Sequence, residues 1–257
     1  MIDTHCHLTS KQLLSMQQEV IDRAEIAGVN RMITVATDAE DAIAAKDLAE
    51  ADSRVFCSSG IHPLYAESDW HWDLVLEAAK SKRCVAWGEL GLDRHYDNPP
   101  ISKQVKLLEE HIALIEGQNG DTRPIIVHCR KAVADLLPVF SSSSLASNRF
   151  VFHCFTETPE EARQILDFGA MISFTGVVTF PNAPQVAEAA VLVPEDRIMV
   201  ETDAPYLSPV PVRKTRPNEP KYVTHTAAFL AKLRGADTDA FEQTLDRNAV
   251  NFFNLET

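Results

Sequence analysis

The chain has 257 residues, 45% of them hydrophobic, and a formal net charge of −13 at pH 7. This acidic balance argues against a protein that coats nucleic acid or an anionic membrane surface, so any contact with nucleic acid must be local. No apolar run approaches the roughly 20 residues that span a bilayer, and the five cysteines include no Cys-x-x-Cys pair. We expect one cytoplasmic domain over residues 1–257, with reduced thiols and no obligate protein partner.

Short apolar runs alternate with longer stretches of helical periodicity along the chain. The runs predict eight strands, in chain order MIDTHC, RMITVAT, RVFCSSGIHP, CVAWGELGLD, PIIVHC, FVFHCF, AMISFTG and RIMVETD. Helical spacing follows them at 13–28, 39–51, 70–79, 102–116, 131–140, 159–168, 185–192, 223–233 and 240–253. Eight strand-helix units predict an α/β fold, a (β/α)8 TIM barrel, more than a doubly wound sheet. No Gly-x-Gly-x-x-Gly fingerprint follows the first strand, which weakens a dinucleotide-binding alternative.

Side chains that can bind a metal ion stand at the ends of five predicted strands. They are His5 and His7 on strand one, Glu89 on strand four, His128 on strand five, His153 on strand six and Asp203 on strand eight. Active sites of such barrels lie at these strand ends, so we expect the six side chains to converge. Nitrogen and carboxylate ligands suit divalent ions such as magnesium, manganese or zinc. We predict that Glu89 bridges two ions. One would be held by His5, His7 and Asp203, and the other by His128 and His153.

Side-chain alternation along the strands supports this arrangement. Residues two apart lie on one face of a strand, so His5 and His7 can both reach the barrel mouth while Cys6 faces away. The same alternation predicts that Cys129 and Cys154 point toward the helical layer. Because free cysteine is among the most buried residue types, we expect both to be core thiols.

In several stretches the chain resembles the TatD family of metal-dependent hydrolases, cytoplasmic relatives of the amidohydrolase barrels. The matching stretches are IDTHCHL, GIHP, GELGLD, PIIVHC, FHCF, GVVTFPNA, ETDAPYLSP, RPNEPKYV and NAVNFF. The resemblance implies the same six metal ligands, and a DNase that removes nucleotides from a strand end with magnesium or a similar ion. The chain departs from the family in RHYD after Asp93, where an aromatic pair is more frequent, and at Cys129, where serine is common.

Other polar residues receive roles in the predicted hydrolysis by an activated water. We expect Asp203 to orient the water and accept its proton, beside the bridging Glu89. Glu201 lies one layer deeper on the same face and is expected to support the ligands, with plain barrel filling as its alternative. His62 in GIHP is expected to contact a phosphate or protonate the leaving oxygen, unless it only stabilises its loop. Arg216 is the predicted substrate contact, because a planar guanidinium matches phosphate oxygens.

These observations favour a metal-dependent deoxyribonuclease with two divalent ions, acting as an exonuclease on DNA strand ends, including single-stranded ends. The acidic chain fits end processing, which needs few phosphate contacts. One alternative is an ester or amide hydrolase, such as a D-aminoacyl-tRNA deacylase that removes a misattached amino acid, since the same ions can polarise a carbonyl. A non-catalytic binding barrel is another, but it predicts a missing ligand and the sequence contains all six.

Overall fold

The computed structural model of the chain describes residues 1–255. Within this range, eight parallel strands form one sheet in the order β1 to β8. The strands are Ile2–Cys6, Arg31–Thr34, Val55–Ser59, Cys84–Asp93, Ile125–Arg130, Phe150–Phe152, Met171–Phe174 and Ile198–Val200. Helices α1 to α9 are Gln17–Ile26, Ala39–Ala51, Trp72–Ala79, Ile101–Glu116, Val133–Ser142, Pro159–Phe168, Pro184–Leu192, Val223–Arg234 and Thr238–Phe253. The predicted (β/α)8 barrel is confirmed.

The predicted domain of residues 1–257 extends past the described range at its last two positions, and it stays a prediction. Among residues 1–255, no helix combines the length and the hydropathy that crossing a bilayer requires.

The first and last strands are joined by an irregular seam. A single bridge links Cys6 with Ala204, and the backbone N–H of His7 donates to the carbonyl of Ala204 at 2.7 Å. Below this bridge, the carboxyl group of Asp3 accepts from the backbone N–H of Thr202 at 2.9 Å and contacts its hydroxyl at 2.6 Å. Asp3 therefore replaces part of the regular ladder, and it brings the segment that carries Asp203 against the segment that carries His5.

The lower half of the barrel is filled by apolar side chains. Each strand contributes at least one buried residue to a common cluster, which includes Ile2, Ile33, Phe56, Val85, Ala86, Ile126, Val151, Met171 and Met199. Phe253 and Leu255, from the end of α9 and the residues after it, pack against the same cluster. A second, larger cluster lies between the strands and the surrounding helices. Because one end of the barrel is closed in this way, its opposite end is the place for polar chemistry.

Local signals set several helix boundaries where the periodicity predicted them. Helix α6 begins with a capping box between Thr158 and Glu161, and it ends at Gly169 in the left-handed region with φ of 108°. Helix α2 begins after Asp38, whose side chain accepts from the backbone N–H of Asp41. Helix α1 is shorter than predicted, because Leu14–Met16 form a separate 3₁₀ turn before it.

Strand β4 covers the predicted run Cys84–Asp93, but Glu89 does not end it. Glu89 was expected at the strand end, but the strand continues four residues further, to Asp93. The pairing of β4 with β5 shifts register between Trp87 and Leu90, and Gly88 in this irregular stretch has φ of 118°. A bulge redirects the side chains next to it. The position of Glu89 therefore depends on this irregularity and not on the end of the strand.

Candidate metal centre

A cavity of about 1100 Å³ opens at the carboxyl ends of the strands. Five of the six predicted ligands line it: His7, Glu89, His128, His153 and Asp203. The sixth, His5, is fully buried beneath them, and its ring stacks on that of His153 with the centroids 3.9 Å apart. The structure therefore brings all six side chains together, although they come from five segments spread over 199 positions of sequence.

Glu89 lies at the centre of this group and is 2% exposed. Its Oε1 atom lies 2.6 Å from Nε2 of His153 and 2.7 Å from Nδ1 of His128. Its Oε2 atom lies 3.4 Å from Nε2 of His5. Burial alone would raise the pKa of Glu89, but the neighbouring histidines, His153 first among them, hold it well below its usual value. A charged carboxylate thus turns one oxygen toward each of two groups of histidines.

The first group contains His5, His7 and Asp203. The Nε2 atoms of the two histidines are 3.3 Å apart, and Oδ1 of Asp203 lies 3.2 Å from Nε2 of His7. Nδ1 of His7 donates to the carbonyl of Val35 at 2.8 Å, which leaves Nε2 to face the site. Burial alone would lower the pKa of His7, but the contact with Asp203 and the charge of Glu89 raise it to about 9. Positive charge is therefore stabilised between these side chains.

The second group contains His128 and His153, and a carboxylate lies behind each ring. Nε2 of His128 donates to Oδ2 of Asp93 at 3.0 Å, so Nδ1 faces Glu89. Nδ1 of His153 lies 3.3 Å from Oε1 of Glu201, the same oxygen that accepts from the backbone N–H of Cys154 at 2.6 Å. Burial alone would lower the pKa of His153, but Glu89 and Glu201 raise it well above its usual value.

The arrangement passes a test of fit for divalent cations. Three groups have ligand atoms within 4.8 Å of one another: His5 with Glu89 and His153, His5 with His7 and Asp203, and His62 with Glu89 and His128. Nitrogens of His153 and His128 lie 2.6 and 2.7 Å from Oε1 of Glu89, so either an N–H hydrogen or a cation must separate the lone pairs. Imidazole and carboxylate are the ligands that zinc, manganese and related ions accept.

His62 lies beside this centre but is oriented differently. Its Nδ1 accepts from the backbone N–H of Leu64 at 3.1 Å, so the neutral ring carries its proton on Nε2, 3.1 Å from Nδ1 of His128. Burial and the charge of His128 lower the pKa of His62 to about 3. A neutral imidazole is a hydrogen-bond donor and not a proton source, so this environment disfavours protonation of a leaving oxygen. Contact with a phosphate stays a prediction.

The structure does not bring Arg216 to the cavity wall. Its Nη1 donates to the hydroxyl of Ser208 at 3.0 Å and to the carbonyls of Arg213 and Thr215 at 3.1 and 2.7 Å. These bonds hold the loop in which Arg216 itself lies. In the same loop, the guanidinium of Arg213 lies 3.6 Å from the centroid of the Phe180 ring. The expected substrate contact of Arg216 therefore has no support from its position.

Cysteine positions correct one further expectation. Cys129 is buried and belongs to the cluster between strands and helices, as predicted, although it also forms part of the cavity lining. Cys154 was expected there too, but it is partly exposed and lines the cavity. Strand β6 ends at Phe152 and Cys154 has φ of 45°, so side-chain alternation no longer applies at this residue.

Asp93 is a site residue that the sequence reasoning missed, although it ends β4 at the same mouth. We expect Asp93→Asn to weaken metal binding by about tenfold to a hundredfold. Because Oδ1 of Asp93 accepts from the backbone N–H of His95 at 2.7 Å, the amide nitrogen of the variant would face His128. That N–H would donate to Nε2 of His128, and the alternative tautomer turns an N–H toward Glu89. Titration calorimetry with Mn²⁺ measures this change. The control is Asp135→Asn, an aspartate on α5 whose partner is Arg94. Equal Mn²⁺ affinity of Asp93→Asn and wild type would contradict the role of Asp93.

His111 on α4 supports the loop that carries His62. It is fully buried, and its Nε2 accepts from the backbone N–H of Ile61 at 3.1 Å. Burial lowers its pKa from 6.5 to about 3. The unfolded chain therefore binds a proton that the native protein excludes, so this histidine lowers stability progressively as the pH falls below about 6.5.

We expect His111→Gln, which keeps an acceptor, to reduce this sensitivity to acid. Between pH 5 and 4, the slope of the unfolding free energy against pH should fall by about 1.4 kcal/mol per pH unit. Urea unfolding at both pH values measures the slope. An unchanged slope would mean that His111 is protonated in the native protein.

Comparisons with known proteins find relatives that match the chain over nearly its whole length. The sequence profile described as TatD related DNase matches residues 2–254. The chain is 35% identical over 259 residues to YcfH of Escherichia coli (strain K12), named an uncharacterized metal-dependent hydrolase, covering 100% of this chain and 96% of that protein. It is 34% identical over 263 residues to a protein of Pantoea ananatis named 3'-5' ssDNA/RNA exonuclease TatD, covering 99% and 100%. The crystal structure of YjjV, a TatD homologue from Escherichia coli K12, matches with a TM-score of 0.90 at 29% identity, covering 100% of this chain and 98% of that one.

Proposed function

Because the chain belongs to the TatD family of metal-dependent hydrolases, we propose that it hydrolyses phosphodiester bonds in nucleic acid, as an exonuclease that acts at strand ends. The proposal includes two divalent cations at the site, with His5, His7 and Asp203 holding one and His128 and His153 the other. Glu89 would bridge them. The name of the Pantoea ananatis relative, an exonuclease on single-stranded DNA and RNA, supports nucleic acid as the substrate class.

The observation that carries the proposal is the double contact of Glu89. Its two oxygens face different groups of histidines, with Oε1 2.6 Å from His153 and Oε2 3.4 Å from His5. Paired cations suit phosphoryl chemistry because attacking and leaving oxygens both develop negative charge. When bound, the cations would offset that negative charge and lower the pKa of a water molecule.

The residues of the chain would do the remaining work. Asp203, whose Oδ1 lies 3.2 Å from Nε2 of His7, is suited to hold a water molecule and accept its proton. The Nε2–H of His62 is suited to donate to a phosphate oxygen. Asp93 and Glu201 would orient the rings of His128 and His153 from behind. The remainder of the cavity has room for nucleotides, since its volume is about 1100 Å³.

The test is digestion of end-labelled single-stranded DNA by metal-stripped protein. Mg²⁺, Mn²⁺ and Zn²⁺ are added back in separate reactions, and one reaction receives no metal. We expect a ladder that shortens from one end, only in the presence of a cation. A parallel reaction contains tRNA charged with a D-amino acid, which tests ester hydrolysis at the same site.

The outcomes separate the candidate reactions. Intact DNA together with release of the amino acid would replace the nuclease with an ester hydrolase. Cleavage within a circular single strand would contradict action at strand ends. Digestion that persists without added cation and in the presence of a chelator would contradict metal dependence.

A further inference from the structure

Three of the four tyrosines of the chain line the mouth cavity with their rings open to solvent. Tyr65 is 37% exposed, Tyr96 50% and Tyr206 49%. We call these three residues the tyrosine rim. The fourth, Tyr222, is not among the residues that line the cavity, and its ring stacks on that of His225 with the centroids 5.9 Å apart. Exposed aromatic faces at a cavity mouth are suited to stack on a planar ligand.

The rim follows a common pattern in the sequence. Each of its tyrosines is the third residue after a polar residue of the site, and these residues are His62, Asp93 and Asp203. The backbone N–H of Tyr65 donates to the carbonyl of His62 at 2.9 Å, and that of Tyr206 to the carbonyl of Asp203 at 2.8 Å. These tight turns place each of the two rings beside its polar residue.

Tyr206 flanks one side of the centre. The centroid of its ring lies 6.3 Å from that of His7, at an angle of 66°. Its backbone carbonyl accepts from Nδ2 of Asn218 at 2.5 Å, so the tyrosine is held at both backbone polar groups. The ring is therefore preorganised next to the group formed by His5, His7 and Asp203.

Tyr96 lines the same cavity, three residues after the end of β4. It follows Asp93, the carboxylate that orients His128, and its ring lies 4.7 Å from that of His95. The guanidinium of Arg130 lies 5.5 Å from the centroid of the Tyr96 ring. The Tyr96 ring can stack on a nucleobase, and the neighbouring Arg130 guanidinium can donate hydrogen bonds to a phosphate.

We propose that Tyr96 and Tyr206 stack on the two nucleobases that flank the scissile phosphate. This proposal rests on the proposed nuclease activity. Tyr206 lies beside the first group of candidate ligands, and Tyr96 follows the carboxylate that orients His128 of the second group. Because Glu89 contacts both groups, this placement favours a phosphate at the centre with one ring next to each group. Stacking tolerates any base and needs an unpaired one, which selects single strands. It also supplies affinity to a chain of net charge −13, which has little basic surface for phosphate contacts.

The experiment combines ring removal with base removal. Tyr96→Leu, Tyr206→Leu and the two corresponding Phe variants are compared with wild type, and Tyr222→Leu is the control. Each variant is given three Mg²⁺-loaded reactions: an intact single-stranded oligonucleotide, one lacking the terminal base, and one lacking the next base. KM and kcat are measured for each, and oligonucleotide binding is measured by fluorescence anisotropy.

We expect each Leu variant to raise KM for the intact strand roughly tenfold, with kcat within about twofold of wild type. Each Phe variant keeps the ring and should have the KM and kcat of wild type. The increase should disappear on the strand that lacks the base held by that ring, and the two rings should respond to different bases. Unchanged KM and binding in both Leu variants, or an increase that persists without the base, would overturn the stacking proposal and leave the nuclease intact.

The binding measurement separates the two proposals. Wild type that binds the strand through both rings without cleaving it would contradict the proposed function and support the stacking. Wild type that neither binds nor cleaves it would contradict both.

Discussion

Glu89→Gln is expected to lose at least about a hundredfold in metal affinity, and at least as much in kcat/KM for metal-dependent hydrolysis. Loss of a residue behind a metal ligand typically costs tenfold to a hundredfold, and Glu89 is itself the predicted shared ligand. The substitution keeps the size of the side chain and removes its charge. Oε1 lies within 2.7 Å of both His128 and His153, so an amide nitrogen or a neutral oxygen at that position weakens both groups at once.

Two measurements check the Glu89→Gln variant. Titration with Mn²⁺ gives the affinity, and digestion of labelled DNA gives the rate. Glu109→Gln on the exposed face of α4 is the matched control, because it makes the same chemical change away from the cavity. Wild-type Mn²⁺ stoichiometry and affinity in Glu89→Gln would contradict the bridging role.

Gly91→Ala is expected to have the largest effect on folding, with a loss of more than about 4 kcal/mol in unfolding free energy. Gly91 has φ of 150°, and a Cβ atom there would lie 1.9 Å from the carbonyl oxygen of His128. Relief of that clash requires β4 and β5 to separate beside the metal centre, since the obstacle is backbone and cannot rotate away.

Gly117→Ala provides the control for this glycine. It ends α4 with φ of −70°, and its Cβ would lie no closer than 3.4 Å to the carbonyl of Ala113. We expect it to unfold within about 1 kcal/mol of wild type. Urea unfolding compares the two variants, and insoluble Gly91→Ala protein counts as the expected failure to fold. A soluble Gly91→Ala variant as stable as Gly117→Ala would contradict the close strand contact.

The sequence predicts the barrel well because its signals are local. The apolar runs and helical periodicities follow from side-chain burial in each element, and helices α2 and α6 have the predicted boundaries. The candidate ligands were also identifiable, because the carboxyl ends of parallel strands meet at one end of a barrel. The His-x-His pair at the first strand therefore indicates a metal site, because the ends of other strands contain similar residues.

Features that depend on register and on unusual backbone angles were not predictable in this way. Glu89 lies inside the predicted strand next to an irregular pairing with β5, and no local pattern encodes that irregularity. Cys154 faces the cavity because its φ is 45°, so the alternation rule failed there. Arg216 was selected for its charge, but its bonding partners are carbonyls of its own loop. The role of Asp93 required the position of His128, a contact across 35 residues.

The central claim is that Glu89 joins two cation sites, and anomalous diffraction from Mn²⁺-soaked crystals tests it most directly. The account predicts two peaks per chain, one within bonding distance of His5, His7 and Asp203 and the other of His128 and His153, with Glu89 between them. A single peak, or a second peak bound by His62 in place of His153, would contradict it.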